Sequence, residues 1–156
     1  MTSSLSFIYF THTFEKPLNP LLGETWEGSM EDGSKLFMEQ ICHHPPISFI
    51  TIDGPGNNYR AYGYSSFTPK AHLNSVDLNV TGAKVIEFPD QTKIEYDPHC
   101  HTFKNTLFGT LRHIINGKVT FVDKKNGISA WYHIGGASKN VPSDYFVGEI
   151  RNMYTN

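Results

Sequence analysis

A mainly β fold, an antiparallel meander curling toward a barrel, follows from two observations in the sequence. Apolar and polar residues alternate with the strand period far more than with the helical one, and the alternating segments are short. Clusters of Gly, Pro, Asn and Asp separate them, residues that supply the backbone angles a tight turn needs. Strands are expected over residues 25–28, 35–41, 47–53 and 59–66, with turns at Glu31-Asp32-Gly33-Ser34 and Asp53-Gly54-Pro55-Gly56-Asn57. Residues 76–81, 84–88, 93–96, 118–123, 129–133 and 145–150 continue the series, and Lys124-Lys125-Asn126-Gly127 reads as a hairpin turn. Only residues 3–10 and a turn near residues 103–108 have helical character. No repeat, linker or low-complexity stretch divides the chain, so residues 1–156 are read as a single domain.

Composition excludes several classes. The chain of 156 residues can bury a real core, and 13% aromatic against 18% charged residues suits a globular β-rich protein. A net charge of −2 argues against nucleic acid as a partner and against broad polybasic adhesion, so any membrane contact should be local and transient. No apolar run is long enough to span a bilayer, and the N-terminus has neither the basic start nor the small-residue cleavage site of a signal peptide. A cytoplasmic protein, peripheral at membranes, is expected. Cys42 and Cys100 lack C-x-x-C spacing and are read as free thiols.

Two segments carry chemistry. In Glu39-Gln40-Ile41-Cys42-His43-His44-Pro45-Pro46-Ile47-Ser48, adjacent imidazoles precede a Pro-Pro brake that stiffens the backbone. Neighbouring strand residues face opposite ways, so both rings serve one ligand only if the strand bends there. Two such rings can donate hydrogen bonds to an anion; the plainer reading is a strand end with solvated imidazoles. Upstream, Lys16-Pro17-Leu18-Asn19-Pro20-Leu21-Leu22-Gly23-Glu24-Thr25-Trp26-Glu27 has a Pro on either side of Leu18-Asn19, a pre-ordered loop that offers the Lys16 ammonium and the Asn19 amide.

Together the two segments resemble the signature motifs of the oxysterol-binding-protein-related lipid-transfer family, approximately K-P-F-N-P-L-L-G-E-T/Y-[YFW]-E and E-Q-V-S-H-H-P-P-I-S. The match is ungapped within each motif and in the right order. Leu18 replaces the usual Phe, and Ile41-Cys42 replace Val-Ser, substitutions that remove no phosphate-binding group. The resemblance implies part of a large lipid-binding β-barrel, with Lys16, Asn19, His43 and His44 at the head group of an acidic phospholipid. That lipid is typically phosphatidylinositol 4-phosphate, and phosphatidylserine in some members. Several members also hold sterol in the same tunnel, which no short motif reports. A phosphomonoester, with about two negative charges and several acceptor oxygens, matches such a set of donors.

Other chemistries fit less well. His99-Cys100-His101 resembles a metal cluster, yet no Asp or Glu completes it at recognisable spacing. Cys42 beside His43 suggests a thiol nucleophile, but adjacent strand residues diverge and no oxyanion-hole element accompanies them. Neither catalysis, cofactor nor metal is expected. Phe49, Tyr59, Tyr62, Tyr64 and Phe67 are candidates to line a tunnel, with ordinary core packing the leading alternative, and Trp26 to pack beneath the first motif.

The chain is well under half the length of a usual family ligand-binding domain. The resemblance therefore implies a truncated barrel without the lid, the last strands and the terminal helices. An unclosed sheet leaves strand edges unpaired. The competing expectation is accordingly a degenerate, non-transferring interaction protein that self-associates through those edges.

Overall fold

The computed structural model describes residues 20–134 and 145–155; the expected helix over residues 3–10 lies outside them. Eleven strands form one sheet: β1 Thr25–Ser29, β2 Lys35–His43, β3 Pro46–Asp53, β4 Arg60–Ala71, β5 Ser75–Thr81, β6 Lys84–Glu87, β7 Lys93–Tyr96, β8 Cys100–Lys104, β9 Arg112–Asp123, β10 Ile128–Ile134 and β11 Phe146–Asn152. Every pairing is antiparallel, and the spatial order β1-β2-β3-β4-β5-β8-β9-β10-β11 is the predicted meander. Among the described residues the sheet does not close, and β1 and β11 are its edges.

The remaining two strands complete the same pattern. β5 and β6 lie end to end along β4, in one continuous register from Ala71↔Val76 to Arg60↔Glu87. β8 and β7 lie end to end along β9. Between the halves the ladder bulges: Leu78 to Lys84 on one strand spans His101 to Tyr96 on the next, one residue fewer. Gly82 sits in that break at φ +127°, and a Cβ there would lie 2.3 Å from the Tyr64 carbonyl oxygen. Such a position suits only glycine.

Two expectations are corrected. Residues 103–108 contain no helix: Cys100–Lys104 is β8, paired with both β5 and β9, and the chain then turns. β9 also begins at Arg112 rather than near residue 118. Phe103 stacks on His113 at 4.6 Å, a cross-strand contact that local propensity does not report.

Register places the apolar residues on one face. Val80, Ile115, Val119, Phe121, Tyr132 and Ile134 are its buried members, and Ile94, Tyr96 and Ala130 pack against the cluster on β9 and β10. Lys84 shares this face. Its ammonium donates to the Tyr64 carbonyl and the Ser65 hydroxyl, both at 2.7 Å, and burial lowers its pKa to about 8. The opposite face carries Lys93–Glu87 and Lys124–Glu95 ion pairs, exposed and worth little to stability.

His99 is half-buried against Tyr132 and shares a 2.6 Å hydrogen bond with its hydroxyl, and burial pulls its pKa down to about 4 from 6.5. Between those values the unfolded chain binds more protons than the folded one, so stability falls as the pH drops through that window. From pH 7 to pH 5 the loss expected from this ring is on the order of 1–2 kcal/mol, discounted for its remaining exposure. Urea unfolding of wild type and His99→Gln at both pH values checks this: the variant should show a visibly smaller acid penalty, and equal penalties would assign it elsewhere.

Candidate functional site

The two motifs meet at one edge of the sheet. β2 and β3 are joined by His44-Pro45 alone, with a cis peptide bond between them and His43 paired with Pro46 across the turn. Just before it the register shifts between Gln40 and Cys42. That bulge returns His43 to the face that carries Gln40 and Ser48, while Cys42 pairs with Ile47 on the opposite face. The strand therefore bends where the paired imidazoles require it. The rings of His43 and His44 lie edge to face with centroids 4.6 Å apart, and both are exposed.

Gln40 holds the bulge in place. It is 3% exposed; its amide donates to the Cys42 carbonyl at 2.6 Å, and its side-chain oxygen accepts from the Ser48 hydroxyl at 2.6 Å. Sequence reading did not single out this residue, although Leu36-x-Met38-x-Gln40 puts a polar side chain in an apolar register, a legible signal.

Lys16 and Asn19 lie outside the described residues. The rest of the first motif is visible, and it is tied to the second. The Gly23 N–H donates to the Gln40 carbonyl at 2.8 Å, and the Gln40 N–H donates to the Glu24 carbonyl at 3.1 Å. The Glu24 carboxylate reaches back to accept from the Leu21 N–H at 2.8 Å, closing a tight turn ahead of β1. A cavity of about 160 Å³ lies between the motifs, lined by Pro20, Glu24, Thr25, Trp26, Met38, Glu39, Gln40 and Ser48. Trp26 lies over Gly28, where a Cβ would come within 2.4 Å of the indole, and it forms part of this cavity wall.

The remaining candidates separate. Phe67 pairs with Val80 on the core face. Phe49, Tyr62 and Tyr64 fall on the face opposite the buried cluster, where Phe49 pairs with Tyr64 and Thr51 with Tyr62. Tyr59 sits near the turns, its hydroxyl 3.2 Å from that of Ser34. His99 is engaged by Tyr132, and His101 Nδ1 lies 2.9 Å from His113 Nε2. Among the described residues no three His, Cys, Asp or Glu are grouped to hold a metal. Also among them, no helix is long and apolar enough to cross a membrane.

Chemically, the edge offers two neighbouring imidazoles on a tight turn, and Gly23 and Glu24 are hydrogen-bonded to the strand that leads into it. Two neighbouring imidazoles can donate hydrogen bonds to an anion.

Known proteins share this architecture. The Osh1 ORD domain in complex with ergosterol superposes with a TM-score of 0.81 at 26% identity, covering 97% of this chain and 37% of that one. The Osh3 ORD in complex with PI(4)P, from Saccharomyces cerevisiae, has a TM-score of 0.74 at 23% identity over 86% of this chain and 37% of its own, a likeness of fold. Oxysterol-binding protein 9 of Dictyostelium discoideum is 36% identical over 125 residues, 80% of this chain. The chain spans 29% of that relative's length. The sequence pattern of the oxysterol-binding protein family matches residues 1–150. The sheet thus has the fold of part of the Osh1 ORD domain, and the chain belongs to the oxysterol-binding protein family.

Proposed function

We propose that this chain binds lipid and transfers it between membranes without catalysing a reaction, holding an acidic head group, foremost phosphatidylinositol 4-phosphate, at Lys16, Asn19, His43 and His44. The observation that carries this reading is the junction of the motifs: Gln40 exchanges backbone hydrogen bonds with Gly23 and Glu24, two residues of the loop that follows Asn19, and lies three residues before His43. A single strand thus ties Gly23 and Glu24 to the turn that carries His43 and His44. Phosphatidylserine is the alternative head group, and sterol the alternative cargo, as held by the similar Osh1 domain. The chain would act in the cytoplasm and touch membranes transiently.

The testing experiment is uptake from liposomes containing phosphatidylinositol 4-phosphate, phosphatidylserine or sterol by the chain as written. Saturable uptake of the phosphoinositide is expected. A folded protein that takes up no lipid would overturn the reading.

A second reading rests on the edges. β11 is exposed along its length, with Phe146 and Ile150 on the core face at 51% and 68% exposure. An edge of this kind can pair with a second copy, giving an interaction protein whose mass in solution rises with concentration.

A further inference from the structure

A second cavity and a group of strongly exposed apolar side chains lie away from the motif junction, at a pair of connected loops. The β4–β5 hairpin turns at Leu73-Asn74, and the β8–β9 connection runs from Asn105 to Leu111 beside it. Leu73, Leu107, Phe108 and Leu111 are 83%, 73%, 63% and 54% exposed. Beneath them opens an apolar cavity of about 390 Å³ lined by Val76, Phe103, Thr106 and Leu111.

This exposure is built rather than frayed. The Asn74 side-chain oxygen accepts from the Leu107 and Phe108 N–H groups at 2.9 and 3.2 Å, and its amide donates to the Phe108 carbonyl at 3.1 Å. The Asn74 carbonyl accepts from the Asn105 N–H at 2.8 Å, and the Asn105 amide donates to the Thr110 carbonyl at 2.8 Å. One asparagine therefore clamps the two loops, with their Leu and Phe side chains outward.

The charge around the tip is mainly positive, with Asp77, paired across the strands with Lys70, the exception. Residues 54–76 and 98–122 contain no Asp or Glu, although the whole chain is at −2. Lys70, Lys104 and Arg112 are exposed at the base, and Lys104 and Arg112 are paired neighbours. Asp77, the nearby carboxylate, is engaged by His72 at 2.9 Å and by the Thr102 hydroxyl at 2.8 Å. In the alternating meander, this tip lies at the same end of the sheet as the His44-Pro45 turn. It extends past that turn, because β4 continues beyond Ser66, which pairs with Ile47, as far as Ala71.

We infer that the clamped double loop is a membrane-docking tip: Leu73, Leu107, Phe108 and Leu111 enter the interfacial region of an anionic bilayer, and Lys70, Lys104 and Arg112 meet its head groups. A protruding apolar point within a cationic collar matches a negatively charged lipid surface. It does not match the same tip of a second copy, which carries the same charge. The inference does not depend on which cargo the His turn holds.

The experiment is co-sedimentation of the chain with sucrose-loaded phosphatidylcholine vesicles, with and without phosphatidylglycerol and free of phosphoinositide and sterol, so that it reads docking rather than cargo uptake. Wild type should pellet with the anionic vesicles and lose binding as salt rises. The double substitution Leu107→Ser and Phe108→Ser should weaken that binding at least about tenfold with an unchanged far-UV circular dichroism spectrum. Leu73→Ser, on the other loop, should weaken it in the same direction, and Lys104→Ser with Arg112→Ser should remove the preference for phosphatidylglycerol. Wild-type protein that ignores anionic vesicles, or tip variants that bind as wild type does, would overturn the inference. So would a concentration-dependent mass in vesicle-free buffer that the Leu107→Ser and Phe108→Ser substitutions abolish, which would make the tip a contact between copies.

Discussion

Replacing His43 and His44 together by alanine is expected to reduce extraction of phosphatidylinositol 4-phosphate at least about a hundredfold while leaving the fold intact. A hydrogen bond to a charged group contributes about 1.5–3 kcal/mol, so loss of one from each ring predicts between two and four orders of magnitude. Both rings are exposed, and the turn that carries them is set by the backbone of His44-Pro45 and by Gln40 rather than by the imidazoles. Unfolding free energy should therefore move by less than about 1 kcal/mol. Gln40→Ala supplies the contrast. It removes a buried side chain that bonds the Cys42 carbonyl and the Ser48 hydroxyl, so extraction and stability should fall together. Liposome extraction read beside urea unfolding separates the two effects. Wild-type extraction by the His43→Ala, His44→Ala protein would remove the head group from this turn.

Much of this fold was legible because a half-buried strand announces itself by alternation. Leu36-x-Met38-x-Gln40 and Val119-x-Phe121 read directly as single faces, and their register in the sheet is the one alternation requires. The failures occurred where tertiary pairing overrode local signal. Pro69 lies inside β4, opposite Leu78, yet a proline normally argues against a strand interior. β8 contains Cys100-His101-Thr102, with no apolar alternation, and is held as a strand by β5 and β9 on either side. The bend at the histidine pair was legible for a different reason. A His-His-Pro-Pro run constrains the backbone strongly, so the bend it demanded is present as a bulge and a two-residue turn. Asn74 left no such trace, because a locking amide in a loop has no sequence period; only its partners in space reveal it.

Tyr132→Ala should cost more stability than any other single truncation of a side chain described here, about 3–5 kcal/mol, a large share of the 5–15 kcal/mol available to a typical domain. Tyr132 is 0% exposed and pairs with Val119 on one side and Gly148 on the other. Its ring packs against Phe121 at 5.7 Å, and its hydroxyl bonds His99 at 2.6 Å. A Cβ on Gly148 would stand 2.9 Å from the Tyr132 Cβ, so the neighbouring strand already yields space to this residue. Alanine would leave a cavity between β9 and β11 and His99 without its hydroxyl partner, whereas Tyr132→Phe keeps the packing and loses only the hydrogen bond, about 1 kcal/mol. Urea midpoints of the two variants measure the difference. If alanine and phenylalanine were equally mild, the core would not rest on β10, and the apolar face would have to be held from another part of the sheet.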